Sequence, residues 1–282
     1  MTTLRLLKAD WQEGLRGLLP VLLLALVLFV TVDAMLWLKC ARFVRMGKEA
    51  ASPSFGDCFA ALFGGSLDMA TLDMSRARLP MSWIAVMGLV LYAPLAYPYS
   101  NLMGFGKQVL VQGRSRWRWW LGKCLWVLLC VAAVFALAVA VALAMDLAAG
   151  GGPTLAVQRA LPGLLSMSSR EFLEVGEPIG PFVAQVAACL AALCLAQLAL
   201  SLVLRPLPSY LLIMGVVTLS SFYSGFPFVG ELCMWARTSL AALVGVSPAQ
   251  GIAASVALGA LAVVAGGVYF SKMDILDKEL NA

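Results

Sequence analysis

The sequence predicts an all-α integral membrane protein: six transmembrane helices, an N-terminal interfacial helix, and a re-entrant outer hairpin between spans five and six, in one domain over residues 1–282. Three observations carry that expectation. Hydrophobic residues make up 62% of the chain and charged residues 12%, whereas soluble domains carry about 25% charge. The apolar residues lie in continuous runs, without the alternation that a membrane β-barrel needs. The runs are also long, and a hydrocarbon core roughly 30 Å thick takes about 20 residues of helix.

Residues 1–16 come first. Leu4, Leu7, Trp11 and Leu15 recur at helical spacing while Arg5, Lys8 and Glu13 fall elsewhere, the pattern of a helix lying at an interface. It reads either as a plain amphipathic anchor or as an elbow on the inner leaflet that touches a cytosolic partner. The first span, 17–38, is too long for the core of a cleaved signal peptide, and no small-x-small site follows closely; it reads as a signal-anchor. Between it and the second span, Phe55 to Gly65 form an apolar patch, expected as a short helix ended by Gly64-Gly65. The second span, 81–98, contains Pro94 and Pro98 and is expected to be irregular. The third, 119–145, is broken off by Gly150-Gly151-Gly152-Pro153. The fourth is 182–204, and the fifth, 210–228, breaks at Gly225 and Pro227. Cys233 to Val244 read as a half-helix too short to span, hence the hairpin, with Gly225, Pro227 and Phe228 as outer gate candidates. The sixth span is 252–270.

Basic residues set the orientation. The segment Lys107 to Arg118 holds Lys107, Arg114, Arg116 and Arg118 without an acid, which places it and both termini in the cytoplasm of a cell-membrane protein. The first loop, with Lys39, Arg42, Arg45, Lys48, Arg76 and Arg78, votes the other way. The basic residues are dispersed along membrane edges, so the net charge of +5 points to lipid headgroups as partners and not to nucleic acid.

Several chemistries are excluded. The chain has no histidine, so neither a zinc-binding His-Glu-x-x-His helix nor a Ser-His dyad can form. No phosphate-cradling G-x-x-x-x-G-K-[ST] loop occurs. The seven cysteines, Cys40, Cys58, Cys124, Cys130, Cys189, Cys194 and Cys233, have no metal-ligand spacing. Those inside spans read as small apolar residues, and a disulfide among Cys40, Cys58 and Cys233 stays open. No catalytic, metal or cofactor residues are assigned, and no enzyme activity is expected of this chain. Asp33 and Lys123 lie in spans but near their ends, where both can reach a wet interface. Gln185, Gln197, Thr218, Ser220, Ser221 and Tyr223 read as helix-packing groups.

Residues 99–118 are the richest segment. Leu102 to Val111 suit a short surface helix ended by Gly113, a docking element for a soluble subunit. Arg114 to Trp120 interleave arginine with tryptophan, as expected where Arg meets lipid phosphates and Trp sits at the interface.

Taken together these parts resemble the membrane subunit of ATP-binding-cassette exporters of the type-2 ABC group. The likeness covers nearly the whole chain in layout. It is carried by Phe55-Gly56-Asp57 to Gly64-Gly65, by the run Arg114-Ser115-Arg116-x-x-Trp119-Trp120-x-x-Lys123, and by the tail Phe270-x-Lys272-x-Asp274-Ile275-Leu276. The resemblance implies a permease that pairs with a second permease subunit, as homodimer or heterodimer, and docks a separate ABC ATPase subunit. It implies a coupling helix within residues 102–112, with Leu102, Gly104, Phe105, Lys107 and Gln108, flanked by Arg114 and assisted by Trp11. This chain departs from the pattern in its basic first loop and in lacking an acid in the coupling segment. The alternative reading is a non-transporting multi-pass protein of interaction, immunity or assembly.

Overall fold

The structure, a computed structural model, describes residues 3–46, 52–66, 79–95, 97–98, 115–150, 154–157, 178–225, 227–242 and 245–273, with side chains in the first helix from Gly14 onward. Its helices are α1 (Thr3–Arg45), α2 (Phe55–Leu62), α3 (Met81–Tyr92), α4 (Arg116–Ala148), α5 (Gly180–Leu204), α6 (Pro206–Leu219) and α7 (Pro248–Lys272). Two 3-10 turns, Val229–Cys233 and Trp235–Arg237, stand between α6 and α7. Among the described residues the only β features are two isolated bridges, Ala156–Pro178 and Thr238–Val246. Among the described residues, four helices are long and apolar enough to cross a membrane: α1 from Gly14 onward, α4, α5 and α7. The chain is thus an all-helical protein with the build of a multi-pass membrane protein.

Helix boundaries follow local chemistry. α1 runs unbroken from Thr3 to Arg45, so the amphipathic segment and the first span are one helix. It enters the bundle as early as Gly14, which has no side chain to collide with the Trp126 ring pressed against it. α3 stops at Tyr92 because Pro94 has no N–H to offer Val90 and the Leu95 N–H turns to the Tyr92 carbonyl. The carbonyls thereby released are taken up from α5: Gln197 Nε2 donates to Leu91 O at 3.0 Å, and the Cys194 thiol lies 3.9 Å from Val90 O. α5 and α6 join through Arg205 alone. It sits at φ 69° and ψ 164°, a conformation few residues other than glycine adopt, with Pro206 opening the next helix. α7 starts from a capping box in which Ser247 and Gln250 exchange hydrogen bonds.

These helices alternate in direction. α5 and α7 are parallel: Gly251 lies on Gln185, Gly259 on Ala192, and Gly266 beside Ala199. Gly251, Ser255, Gly259, Ala262 and Gly266 are the buried small residues that let the two helices approach. α3 runs the same way, with Trp83 at the level of Cys233 and Leu91 at the level of Gln197. α4 runs opposite to α7, because Trp120 near its start donates to Val263 O and Trp119 stacks on Phe270 at 4.9 Å. α1 follows α4, with Leu18 packed on Trp126 and Cys130. α6 reverses at Arg205 and brings Tyr210 to Gly88 of α3.

Candidate functional site

One end of the bundle is closed by a cap. α2 is buried along all eight of its residues. Ser54 and Asp57 form its capping box, with the Ser54 N–H on Asp57 Oδ2 at 2.9 Å. Ser54 Oγ also donates to Ala156 O at 3.0 Å, and the Gly56 N–H donates to Thr154 O. Gly56 is required here: a Cβ would stand 2.9 Å from the Ala156 carbonyl oxygen. Phe59 then meets Phe135 of α4 and Phe182 of α5 edge-on. The short helix expected from the apolar patch is therefore present, and the Gly65 φ of 69° turns the chain after it.

The 3-10 turns are stitched onto that helix. The Trp235 N–H donates to Phe63 O and the Ala236 N–H to Gly64 O. Trp83 Nε1 and Gln185 Nε2 donate to the carbonyls of Cys233 and Leu232. The expected half-helix over Cys233 to Val244 is absent among the described residues of that segment. Instead the chain folds back on itself: the Ser239 N–H donates to Val246 O, the Val246 N–H to Arg237 O, and Gly245 lies directly on the Thr238 carbonyl, where no Cβ would fit.

The outer gate candidates lie in this region. Gly225 has φ 86°; its N–H donates to Glu231 Oε1 at 2.9 Å, and its carbonyl accepts the Phe228 N–H at 2.7 Å. Pro227 is exposed beside it, and Phe228 stacks on Tyr223. The segment is held by Arg237, whose guanidinium donates to the carbonyls of Ser66, Tyr223 and Ser221 at 3.0, 2.8 and 3.0 Å and pairs with Glu231 at 3.7 Å. Sequence reasoning missed Arg237 and Glu231; the signal was a basic and an acidic residue bracketing an otherwise apolar stretch.

Beneath the cap lies an acidic cluster. Asp33 of α1 and Asp146 of α4 are both 0% exposed, and Asp57 is 1% exposed. Neither oxygen of Asp33 or of Asp146 has a hydrogen-bond partner. Burial first, then the charges of Asp33, Asp57, Asp146 and Cys40, push the pKa of the Cys58 thiol far above the usual thiol range. Asp33 does not reach a wet interface, as its position near a span end had led us to expect. Asp146, one residue past the expected third span 119–145, is in the last turn of α4. In both places a lone acid is flanked by apolar residues on either side, and that was the available signal.

The opposite end is packed differently. Arg116 Nη1 donates to the Ser271 and Met273 carbonyls at 3.0 and 2.7 Å, closing the C-terminus of α7. Trp119 and Trp120 are buried against Phe270, where the interleaved pattern had pointed to a lipid interface. Lys123 is 2% exposed and does not snorkel to water; its ammonium lies 4.8 Å from the Tyr97 ring centre and 5.3 Å from that of Trp119. Leu102, Gly104, Phe105, Lys107, Gln108 and Arg114 lie outside the described residues, as does the side chain of Trp11. The described cysteines are all free thiols. No protein-family model, curated protein or solved structure matches the chain.

Proposed function

We propose that this chain is the membrane-spanning subunit of an ATP-binding-cassette exporter, forming the translocation path as a dimer and driven by a separate ATPase subunit. The observation that carries the reading is the alternation of direction through α1, α3, α4, α5, α6 and α7. On this reading all six are passes. α3 and α6 are about 18 and 21 Å long; each is continued by turn residues, Ala93 to Leu95 after α3 and Ser220 to Gly225 after α6. The cap faces outward, its two 3-10 turns form the re-entrant element, and Gly225, Pro227 and Phe228 are the gate, held shut by Arg237 and Glu231. On this reading Pro98 and Ser115, the described residues on either side of the coupling candidates, stand on the cytoplasmic side. ATPase closure would act there, through Phe105 and Lys107, and reach the outer end along the rigid parallel pairs.

The test is co-purification of the tagged chain in mild detergent, comparing wild type with a Phe105→Asp/Lys107→Glu variant. The expected result is an ABC ATPase accompanying wild type and lost from a folded variant. If no ATPase accompanies wild type, the proposal fails and a non-transporting membrane protein is the better account.

A further inference from the structure

We propose that Asp33 and Asp146 form a binding site for a small, singly charged cation, a proton or an alkali-metal ion, enclosed between α1, α2 and α4 under the cap. Both side chains are fully buried, and all four of their carboxylate oxygens lack a hydrogen-bond partner. An ionised carboxylate in an apolar interior is so unfavourable that a counter-charge must accompany it. The parallel packing of α1 on α4, with Leu18 on Trp126 and Cys130, brings Asp33 to the level of the Asp146 turn. Among the described residues, the titratable groups that act with them on Cys58 are Cys40 on α1 and Asp57 on α2, neutral or negative. The basic residues nearest in α1, Lys39, Arg42 and Arg45, are exposed. Asp57 is tied into its capping box with Ser54. Asp146 also stands in the last turn of α4, where the helix carbonyls add negative potential. The field at the site is thus negative from every described neighbour.

The occupant's class follows from the ligand count. Among the described residues no three acid, thiol or imidazole groups converge to hold a metal ion, as a divalent cation would require. One of the two carboxylates keeps its proton beside the other's charge, so a single positive charge balances the pair. α2 packs against both α1 and α4, and on this proposal the ion's way out runs past α2. Occupancy therefore holds α2 in place, and release accompanies cap opening. The inference does not depend on an ATPase partner.

The test uses the full chain, purified in lipid nanodiscs, with melting followed by intrinsic tryptophan fluorescence. Sodium chloride is compared with choline chloride at fixed pH, and pH is then varied in choline. An alkali-metal site predicts that wild type melts higher in sodium, by roughly 2–4 °C per tenfold concentration. A proton site predicts no sodium effect and a melting temperature that falls as pH rises. In either case Asp33→Asn/Asp146→Asn loses the dependence and melts at least as high as wild type does without the ion. Equal dependence in wild type and double variant overturns the proposal. Should the double variant not fold, infrared spectra of wild type with labelled aspartate decide. A buried carboxylic-acid band, or a carboxylate band that shifts on sodium exchange, supports the site; neither overturns it.

Discussion

Two glycines on one face of α7 should respond to the same substitution with opposite signs. Replacing a helix-interior glycine by alanine removes backbone freedom from the unfolded chain and gains about 1 kcal/mol where the methyl fits. At Gly259 it fits: the new Cβ meets Ala192 Cα at 3.6 Å, and Ala192 Cβ and Leu195 Cδ1 at 3.7 Å. Gly259→Ala should therefore stabilise by about 1 kcal/mol. At Gly266, one heptad on, the same methyl lands on the Trp120 ring, with Cη2 at 2.7 Å, Cζ2 closer still, and Ala199 Cβ at 3.1 Å. The ring cannot swing aside without losing its bond from Nε1 to Val263 O at 2.8 Å and its stacking on Phe270. Overpacking of this kind costs about 1–3 kcal/mol, and the hydrogen bond about 1 more. Against the propensity gain, Gly266→Ala should lose about 1–3 kcal/mol, which separates the two variants by about 2–4 kcal/mol. Dodecyl-sulfate unfolding of the purified chain, read by tryptophan fluorescence, measures the difference. Equal shifts in the two variants, or a Gly266→Ala protein as stable as wild type, would refute the parallel packing of α5 and α7.

Two further outcomes are expected. Arg237→Met should destabilise by about 3–5 kcal/mol, because it strips the donor shared by Ser66, Tyr223 and Ser221 and leaves Glu231 without its ion pair. Proteolysis should then cut between Tyr223 and Phe228 while α5 and α7 stay intact. Cys58 should resist a thiol reagent until the chain is unfolded. Its folded pKa is raised by burial and by the surrounding acids, so its contribution to stability is present below the usual thiol range and lost as pH rises beyond it. Cys58→Ala should flatten that alkaline loss, and an unchanged slope would count against the cluster.

The long helices were legible because a continuous apolar run has one solution in lipid, and α4, α5 and α7 overlap the expected 119–145, 182–204 and 252–270 closely. The break after Tyr92 was legible in Pro94. What was not legible is which face a side chain turns inward. Trp119 and Trp120 have the composition of a lipid interface, yet Phe270 arrives from the far end of the chain to cover them. Asp33 stands near the end of the expected first span and Asp146 just past the expected third, where acids usually meet water; in the fold α1 runs on to Arg45 and both side chains are buried. The segment after Phe228 carries an apolar pattern that suits a helix, but its backbone is bonded to α2 and to itself. Each of these is a tertiary contact across many residues, invisible to local periodicity. The coupling candidates from Leu102 to Arg114 lie outside the described residues.

The most direct test of the account is sidedness. With the native cysteines buried, single cysteines introduced at the exposed positions Ser224 and Lys272 can be probed in intact cells with a membrane-impermeant maleimide. The alternating passes predict that Ser224→Cys labels from outside and Lys272→Cys only after permeabilisation. Labelling of both from the same side would contradict the six-pass arrangement and remove the cytoplasmic placement of residues 99–114 with it.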